Sequence, residues 1–429
     1  MVSANLSALG GCVLLALAGC SSHAPEQGAP APAAPTFGDM DAALAPLAAG
    51  ETAVAVTAAK IFMLDEADTI LAPGLVVVRN GRIAALGSPR ALPEGIEHID
   101  WPAGWVTPGL IDLHSHVQTG GWGDINDMVL PINAEFRTSP TIRPGNPNIQ
   151  RALAAGVTTL FGIPGSGTSM SGFGVLYKTK AESTYEQTVF ADPGGLKVAQ
   201  DSNPQRDAGD FGVSRAALAW LLANANDRAI AAQEQGRFEL ALQNLQRIHT
   251  KELPVLIHTA GSEGVANTAR MWRRTYDTRS VLSHGSFDGW RSAAFVAASD
   301  MPVNNGPRTI VYVSSREGRV IGMAAEYTAA GVPDFSLNTD AGVIPQEEFF
   351  LQGSMAARYG ADDYLMLRAL TIHPARAFGI DGRLGSLEVG KDADIVLSTG
   401  DPLDPRSAVE LVLIDGEIQY SRQADGQWF

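Results

Sequence analysis

Residues 109–116 read GLIDLHSH, an apolar run that closes on two histidines, His114 and His116. In an extended strand that spacing puts both imidazoles on one face. The run therefore predicts a buried strand with a His-x-His pair at its C-terminal end. Further segments of the same character follow: VTTLFGI (157–163), GVLYKT (174–179), GLKVAQ (195–200), PVLIHT (254–259), SVLSHG (280–285), MPVNN (301–305) and DFSLNTD (334–340). Helical stretches such as 214–249 and 263–275 fall between them. Eight short apolar strands alternating with helices predict an α/β fold with a TIM-like (β/α)8 barrel.

Outside this region the pattern is that of hairpins. TAVAVTAAKIFML (52–64) precedes GLVVVRNGRIAALG (74–87), in which Asn80-Gly81 marks a turn. DADIVLSTG (392–400) precedes ELVLIDGEIQY (410–420), with Asp415-Gly416 in the same role. The two ends are expected to build one small composite β-sandwich, residues 51–107 and 379–429, around a barrel spanning 108–378.

A barrel directs the C-terminal ends of its strands to one face, where active sites sit. The metal-capable residues of these strands are His114, His116, Lys197, His258, His284 and Asp340. Imidazole and carboxylate together suit a divalent transition metal such as zinc. The chain's two cysteines are Cys12 and Cys20, so a metal in the body must be held by His, carboxylate or a modified lysine. His98, His249 and His373 lie in polar or helix-start contexts and are read as structural. A formal charge of −15 disfavours a nucleic-acid partner. With 45% hydrophobic and 18% charged residues, the chain has enough apolar surface for a core.

Trp122, Asp124, Arg143, Tyr177, Arg308 and Tyr312 fall in or near strand-end loops and are candidates for touching substrate. Of these, Arg308 suits a substrate carboxylate, and Tyr177 is the other candidate substrate contact. The Gly-rich stretch 162–174 lacks the Gly-Lys-Ser/Thr of a phosphate cradle and is expected to form a loop over the barrel mouth.

The first residues have a different character. Residues 8–19 are apolar but too short to span a membrane, and Leu17-Ala18-Gly19-Cys20 resembles the lipobox of bacterial lipoproteins. That resemblance implies a signal peptide over 1–20, lipidation of Cys20, and a Pro/Ala-rich tether over 21–50. The chain would be exported and lipid-anchored, and Ser21 favours the outer membrane, periplasmic side.

PGLIDLHSH, the GLK of the fourth strand, the histidines of the fifth and sixth, NTD in the eighth and the tail LTIHPARAFGIDGRLGSLEVGKDADIVL together resemble the amidohydrolase superfamily, in its imidazolonepropionase-like and prolidase-like branch. The resemblance implies a metal-dependent hydrolase acting on carbon–nitrogen bonds: an amide, cyclic amide or dipeptide. It implies two zinc ions bridged by carboxylated Lys197, with Lys178 as the fallback. His114, His116 and Asp340 would hold one ion, and His258 and His284 the other. A metal-activated hydroxide would attack, with Asp340 as general base and then acid. Two departures bear on substrate. The branch often carries Gly-Glu-Asn-Pro-Lys-Arg where this chain has Asp201-Ser202-Asn203-Pro204-Gln205-Arg206. The deaminases carry His-x-x-Glu at the fifth strand, whereas here Glu263 falls two residues too late after His258. Deamination, lactone or phosphoester hydrolysis on the same site, and a catalytically silent binding lipoprotein, are the alternatives. The partners implied are a small-molecule substrate and a membrane, with a homo-oligomer left open.

Overall fold

The structure, a computed structural model, describes residues 36–121, 123–206, 214–311, 318 and 320–426. Cys20, its lipobox, residues 21–35 of the tether, Trp122 and Tyr312 lie outside the described residues. Strands β1 (Ala53–Phe62), β2 (Ile70–Leu71), β3 (Gly74–Arg79), β4 (Arg82–Gly87) and β5 (Glu97–Pro108) come first. They are followed by β6 (Leu110–Ser115), β7 (Val157–Gly162), β8 (Met170–Lys178), β9 (Val189–Ala199), β10 (Val255–Ala260), β11 (Ser280–Ser286) and β12 (Val303–Asn305). A short hairpin of β13 (Ile310–Val311) and β14 (Ile321–Gly322) precedes β15 (Ser336–Leu337). The last three strands are β16 (Ile395–Ser398), β17 (Val409–Ile414) and β18 (Glu417–Ser421).

Both ends of the chain enter one sheet, ordered β18-β17-β16-β5-β1-β3-β4 with β2 beside β1. Hydrogen bonding runs continuously through all eight of its strands. Its two tight turns are those marked by Asn-Gly and Asp-Gly. Asn80 and Gly81 have φ of 48° and 77°, and Asp415 and Gly416 have 51° and 75°. Two left-handed residues in succession match the twist of the flanking strands. The fold also begins earlier than residue 51. Met40–Ala43 form a helix capped by Asp39, and Ala43 is buried with Ala55, Leu75, Val77 and Ala85.

The second sheet has eight strands in the order β15-β12-β11-β10-β9-β8-β7-β6, a nearly closed barrel in a mixed α/β fold. Ser115 bridges to Ala341 across the remaining seam, where the His116 amide donates to the Ala341 carbonyl at 2.6 Å. All neighbours are parallel except at β8, which runs antiparallel to both β7 and β9. This departs from a regular (β/α)8 order for a simple reason. Segment 163–169 between β7 and β8 is too short for the crossover a parallel pair needs, so the chain turns back as a hairpin. Residues 170–174 of the Gly-rich stretch are accordingly buried strand, and only the residues before them form a loop. Among the described residues no helix is long and apolar enough to cross a membrane.

Reversal of β8 carries Lys178 to the end of the barrel away from the histidines, which rules it out as the fallback bridging lysine. There it is buried, donating to Asp392 at 2.8 Å and Asp394 at 3.0 Å and pairing with Asp415. Desolvation alone would lower the Lys178 pKa, but the three carboxylates outweigh it and raise it. Lys178→Met would leave buried Asp394 without its cation, while Asp392 keeps Arg82 and Arg383 and Asp415 keeps Lys180. Losing one partner of a buried ion cluster costs ~3–5 kcal/mol, so chemical denaturation should show the midpoint falling by that equivalent. A second expectation concerns pH. His373 is buried, with Nδ1 2.9 Å from the Phe335 carbonyl, and burial lowers it to about 4. The unfolded chain protonates this imidazole near 6.5, the folded one only near 4. Stability therefore falls as pH drops through that window, by ~3 kcal/mol in total. His373→Asn, which retains a donor for Phe335, should make the pH–stability profile shallower between those values, the remaining slope coming from the other buried histidines.

Candidate metal centre

His114 and His116 close β6, His258 lies in β10, His284 in β11, and Asp340 follows β15. The structure brings all five together. His114, His116 and Asp340 offer ligand atoms within 4.8 Å of one another. Asp340 Oδ1 lies 3.2 Å from Nε2 of both His114 and His116. The His284 ring lies 4.4 Å, centre to centre, from both His114 and His258.

The strands are irregular where they carry these residues. Register shifts occur in β6 between Asp112 and Ser115, and between β10 and β11 beyond Thr259. His284 has φ of 69° and Asp340 has φ of 51°, both in the left-handed region that side chains rarely occupy. The consequence is visible at Ser283 and His284. Consecutive residues of a regular strand point to opposite faces, yet Ser283 Oγ lies 2.6 Å from His114 Nδ1 and the next residue's ring also packs on His114. Backbone distortion of this kind is how a strand re-aims a side chain at a functional site.

The imidazoles are anchored from behind. Nδ1 of His114 is held by Ser283, that of His116 by the Ile163 carbonyl at 2.9 Å, and that of His284 by the Gly306 carbonyl at 3.1 Å. Nε2 of His284 is buried without a hydrogen-bond partner among the described residues. Burial first, then the charges of Lys197 and neighbouring histidines, hold His114 well below the ordinary imidazole range. Burial and the other histidines do the same to the partly exposed His258. Burial also lowers His284. Desolvation would raise Asp340, but His114 and His116 overcome it and keep the carboxylate ionised. Neutral imidazoles with fixed outer nitrogens, facing one carboxylate, are a donor set that fits a divalent cation.

Lys197 in β9 is fully buried, and desolvation lowers it to about 7, with Asp340 opposing. Its Nζ donates to Ser166 Oγ at 2.9 Å and the Pro164 carbonyl at 3.3 Å, both in the loop after β7. The electrostatic reach of Lys197 to His114, His258 and His284 puts it beside the cluster. Beneath the centre, Asp112 is buried among four donors, against which burial pushes its carboxyl up to about 7.

The other candidates divide. Beside His284 a cleft of about 340 Å3 is walled by Phe287, Pro307, Ile310, Met323 and Val343, with Arg308 among its lining. Arg308 is exposed and pairs with no carboxylate among the described residues. Tyr177 is fully buried in the barrel core, where solvent does not reach it, and is placed by packing. Asp124 and Arg143 are exposed in the segment after β6. Glu263 pairs with Arg215 at 3.2 Å, outside the cluster. His98 and His249 lie elsewhere, on β5 and at the end of helix Gln243–His249. Ser283, Asp112 and the carbonyls of Ile163 and Gly306 escaped the sequence reading. Ser283 adjoins a predicted ligand, but nothing in the order of residues signals that it crosses the barrel to His114.

Comparison with known proteins agrees with this geometry. Residues 208–420 match the model of the amidohydrolase family. The imidazolonepropionase of Aromatoleum aromaticum is 26% identical over 380 residues, covering 78% of this chain and 88% of that protein. The imidazolonepropionase of Caulobacter vibrioides is 27% identical over 371 residues, covering 76% of this chain and 88% of its own. An amidohydrolase structure from Thermotoga maritima MSB8 superposes with a TM-score of 0.77 at 27% identity, covering 86% of this chain and all of that one. A Xaa-Pro dipeptidase with bound methionine shares the fold at a TM-score of 0.55 and 16% identity, over 86% of this chain and 100% of its own. These likenesses, to the amidohydrolase family model over residues 208–420 and to imidazolonepropionases over three quarters of the chain, indicate a hydrolase acting on carbon–nitrogen bonds.

Proposed function

We propose that the chain hydrolyses an amide, a cyclic amide or a dipeptide bond at a zinc centre. His114, His116 and Asp340 would hold one ion, and His258 and His284 a second, with carboxylated Lys197 between them. The observation that carries this reading is the approach of Asp340 Oδ1 to both Nε2 atoms at 3.2 Å, inside a ring of back-anchored imidazoles. A bound divalent metal supplies Lewis acidity and brings the pKa of water to near neutrality. The chain's own groups do the rest. Asp340, kept ionised by its histidines, receives the proton of the attacking water and returns it to the leaving nitrogen. Lys197, buried with its amine near neutrality, is chemically suited to take up CO2 as a carbamate. Arg308 would hold a substrate carboxylate in the cleft beside His284. Lipid anchoring through Cys20 belongs to the same proposal and rests on the apolar run 8–19 and the residues around Cys20.

A second reading has its own support. The trio of His114, His116 and Asp340 is the group that gathers within 4.8 Å among the described residues, which suits a single ion. Elemental analysis of the chain purified without residues 1–20, after growth with zinc and bicarbonate, separates the two. About two zinc ions per chain, falling in Lys197→Ala, support the bridged centre, whereas one ion unaffected by that change supports the single-ion site. For substrate, Arg308→Gln should raise KM for carboxylate-bearing amides roughly 10- to 100-fold with kcat little changed, the weight of a charged hydrogen bond. Equal effects on carboxylate-bearing and neutral substrates would remove Arg308 from recognition.

A further inference from the structure

Asp112 is buried and takes no part in the chemistry proposed above, yet its two oxygens face opposite sides of the barrel seam. Oδ1 accepts from the amide of His114 at 2.9 Å, on its own strand. Oδ2 accepts from the Thr339 hydroxyl at 2.6 Å, the Thr339 amide at 3.2 Å and Gln346 Nε2 at 3.1 Å, all beyond β15. Among the described residues, β6 and β15 share no regular ladder, and the seam is crossed by the bridge from Ser115 to Ala341. Asp112 therefore supplies bonds that strand pairing does not.

These bonds frame Asp340. Thr339, immediately before it, is tied to Asp112. Ala341, immediately after it, gives its carbonyl to the His116 amide and its own amide to Thr339 Oγ1 at 3.1 Å. Both neighbours of Asp340 are thus fastened to the strand that carries His114 and His116. The Asp340 backbone, at φ of 51°, is held in a conformation it would not keep unaided.

We propose that Asp112 is a positioning residue that acts through Thr339 to fix Asp340 against His114 and His116. The proposal rests on the reading of those three residues as a metal centre. Its consequence is that the Asp112–Thr339 bond governs metal affinity without either side chain being a ligand.

The test measures zinc affinity of the full chain by competition with a chromophoric chelator, with thermal melting as the check on folding. Thr339→Val removes the hydroxyl at nearly constant shape, and Thr339→Ser keeps it. Asp112→Asn replaces an acceptor with a donor facing other donors. Thr339→Val and Asp112→Asn should each weaken zinc binding 10- to 100-fold, the usual effect of losing an outer support of a metal site. Thr339→Ser should bind as the parent does. The double variant Asp112→Asn/Thr339→Val should be weaker by less than the sum of the two singles, because both break the hydrogen bond that Asp112 and Thr339 share. If Asp112→Asn does not fold, Thr339→Val against Thr339→Ser decides. A lower melting temperature with unchanged zinc affinity in Thr339→Val overturns the proposal and leaves Asp112 a stability residue. A parent chain that binds no zinc overturns the metal-centre reading itself, and the proposal with it.

Discussion

Four imidazoles share one buried space, with ring centres between 4.4 and 6.4 Å apart where they touch. Such a cluster cannot carry four positive charges. Desolvation disfavours each charge, and mutual repulsion compounds the penalty. Burial holds His114, His258 and His284 toward the neutral form, and the surroundings are arranged accordingly. A serine hydroxyl and two backbone carbonyls hold the outer nitrogens of His114, His116 and His284, which leaves their inner ones available as electron-pair donors. One carboxylate, Asp340, is the anion they face. The cation of Lys197 is itself suppressed by burial.

Neutrality alone does not produce a site, since ligands must also converge. Parallel strands deliver their C-terminal ends to one face, and β6, β10, β11 and β15 obey that rule. The reversed strand β8 does not, and it contributes no member to the cluster. It serves instead at the opposite end, where Lys178 binds Asp392 and Asp394 just before β16. One short loop therefore decides which of two lysines can approach the histidines and which ties the barrel to the terminal sheet.

Much of this was legible in the sequence because it depends on composition and spacing. Apolar runs ending in His or Asp identify strands whether or not their partners are known, so His114, His116, His258, His284 and Asp340 could be selected individually. Asn80-Gly81 and Asp415-Gly416 reported their turns through a local φ requirement. Strand direction was less accessible. GVLYKT alternates identically read either way, and only the length of the preceding loop distinguishes hairpin from crossover. Tyr177, on the same reversed strand, is enclosed in the barrel core. Ser283 and Asp112 were invisible on different grounds. Their partners lie 169 and 227 residues away in sequence, and contacts across a barrel leave no periodic trace.

Charge adds a last constraint on what such a centre can take. A chain at −15 draws divalent cations toward its surface and repels anions. Screening limits that repulsion to roughly 8 Å at physiological salt, so an anionic substrate can still approach the surface. It then needs a local cation that is not already neutralised. Most arginines here are committed: Arg368 to Asp68, Arg376 to Glu66, Arg383 to Asp392, Arg406 to Asp404. Arg308 stands apart, exposed beside the apolar cleft next to His284 and without a carboxylate partner among the described residues. On a chain that repels anions, an exposed guanidinium without an acidic partner is where a carboxylate would meet the least opposition.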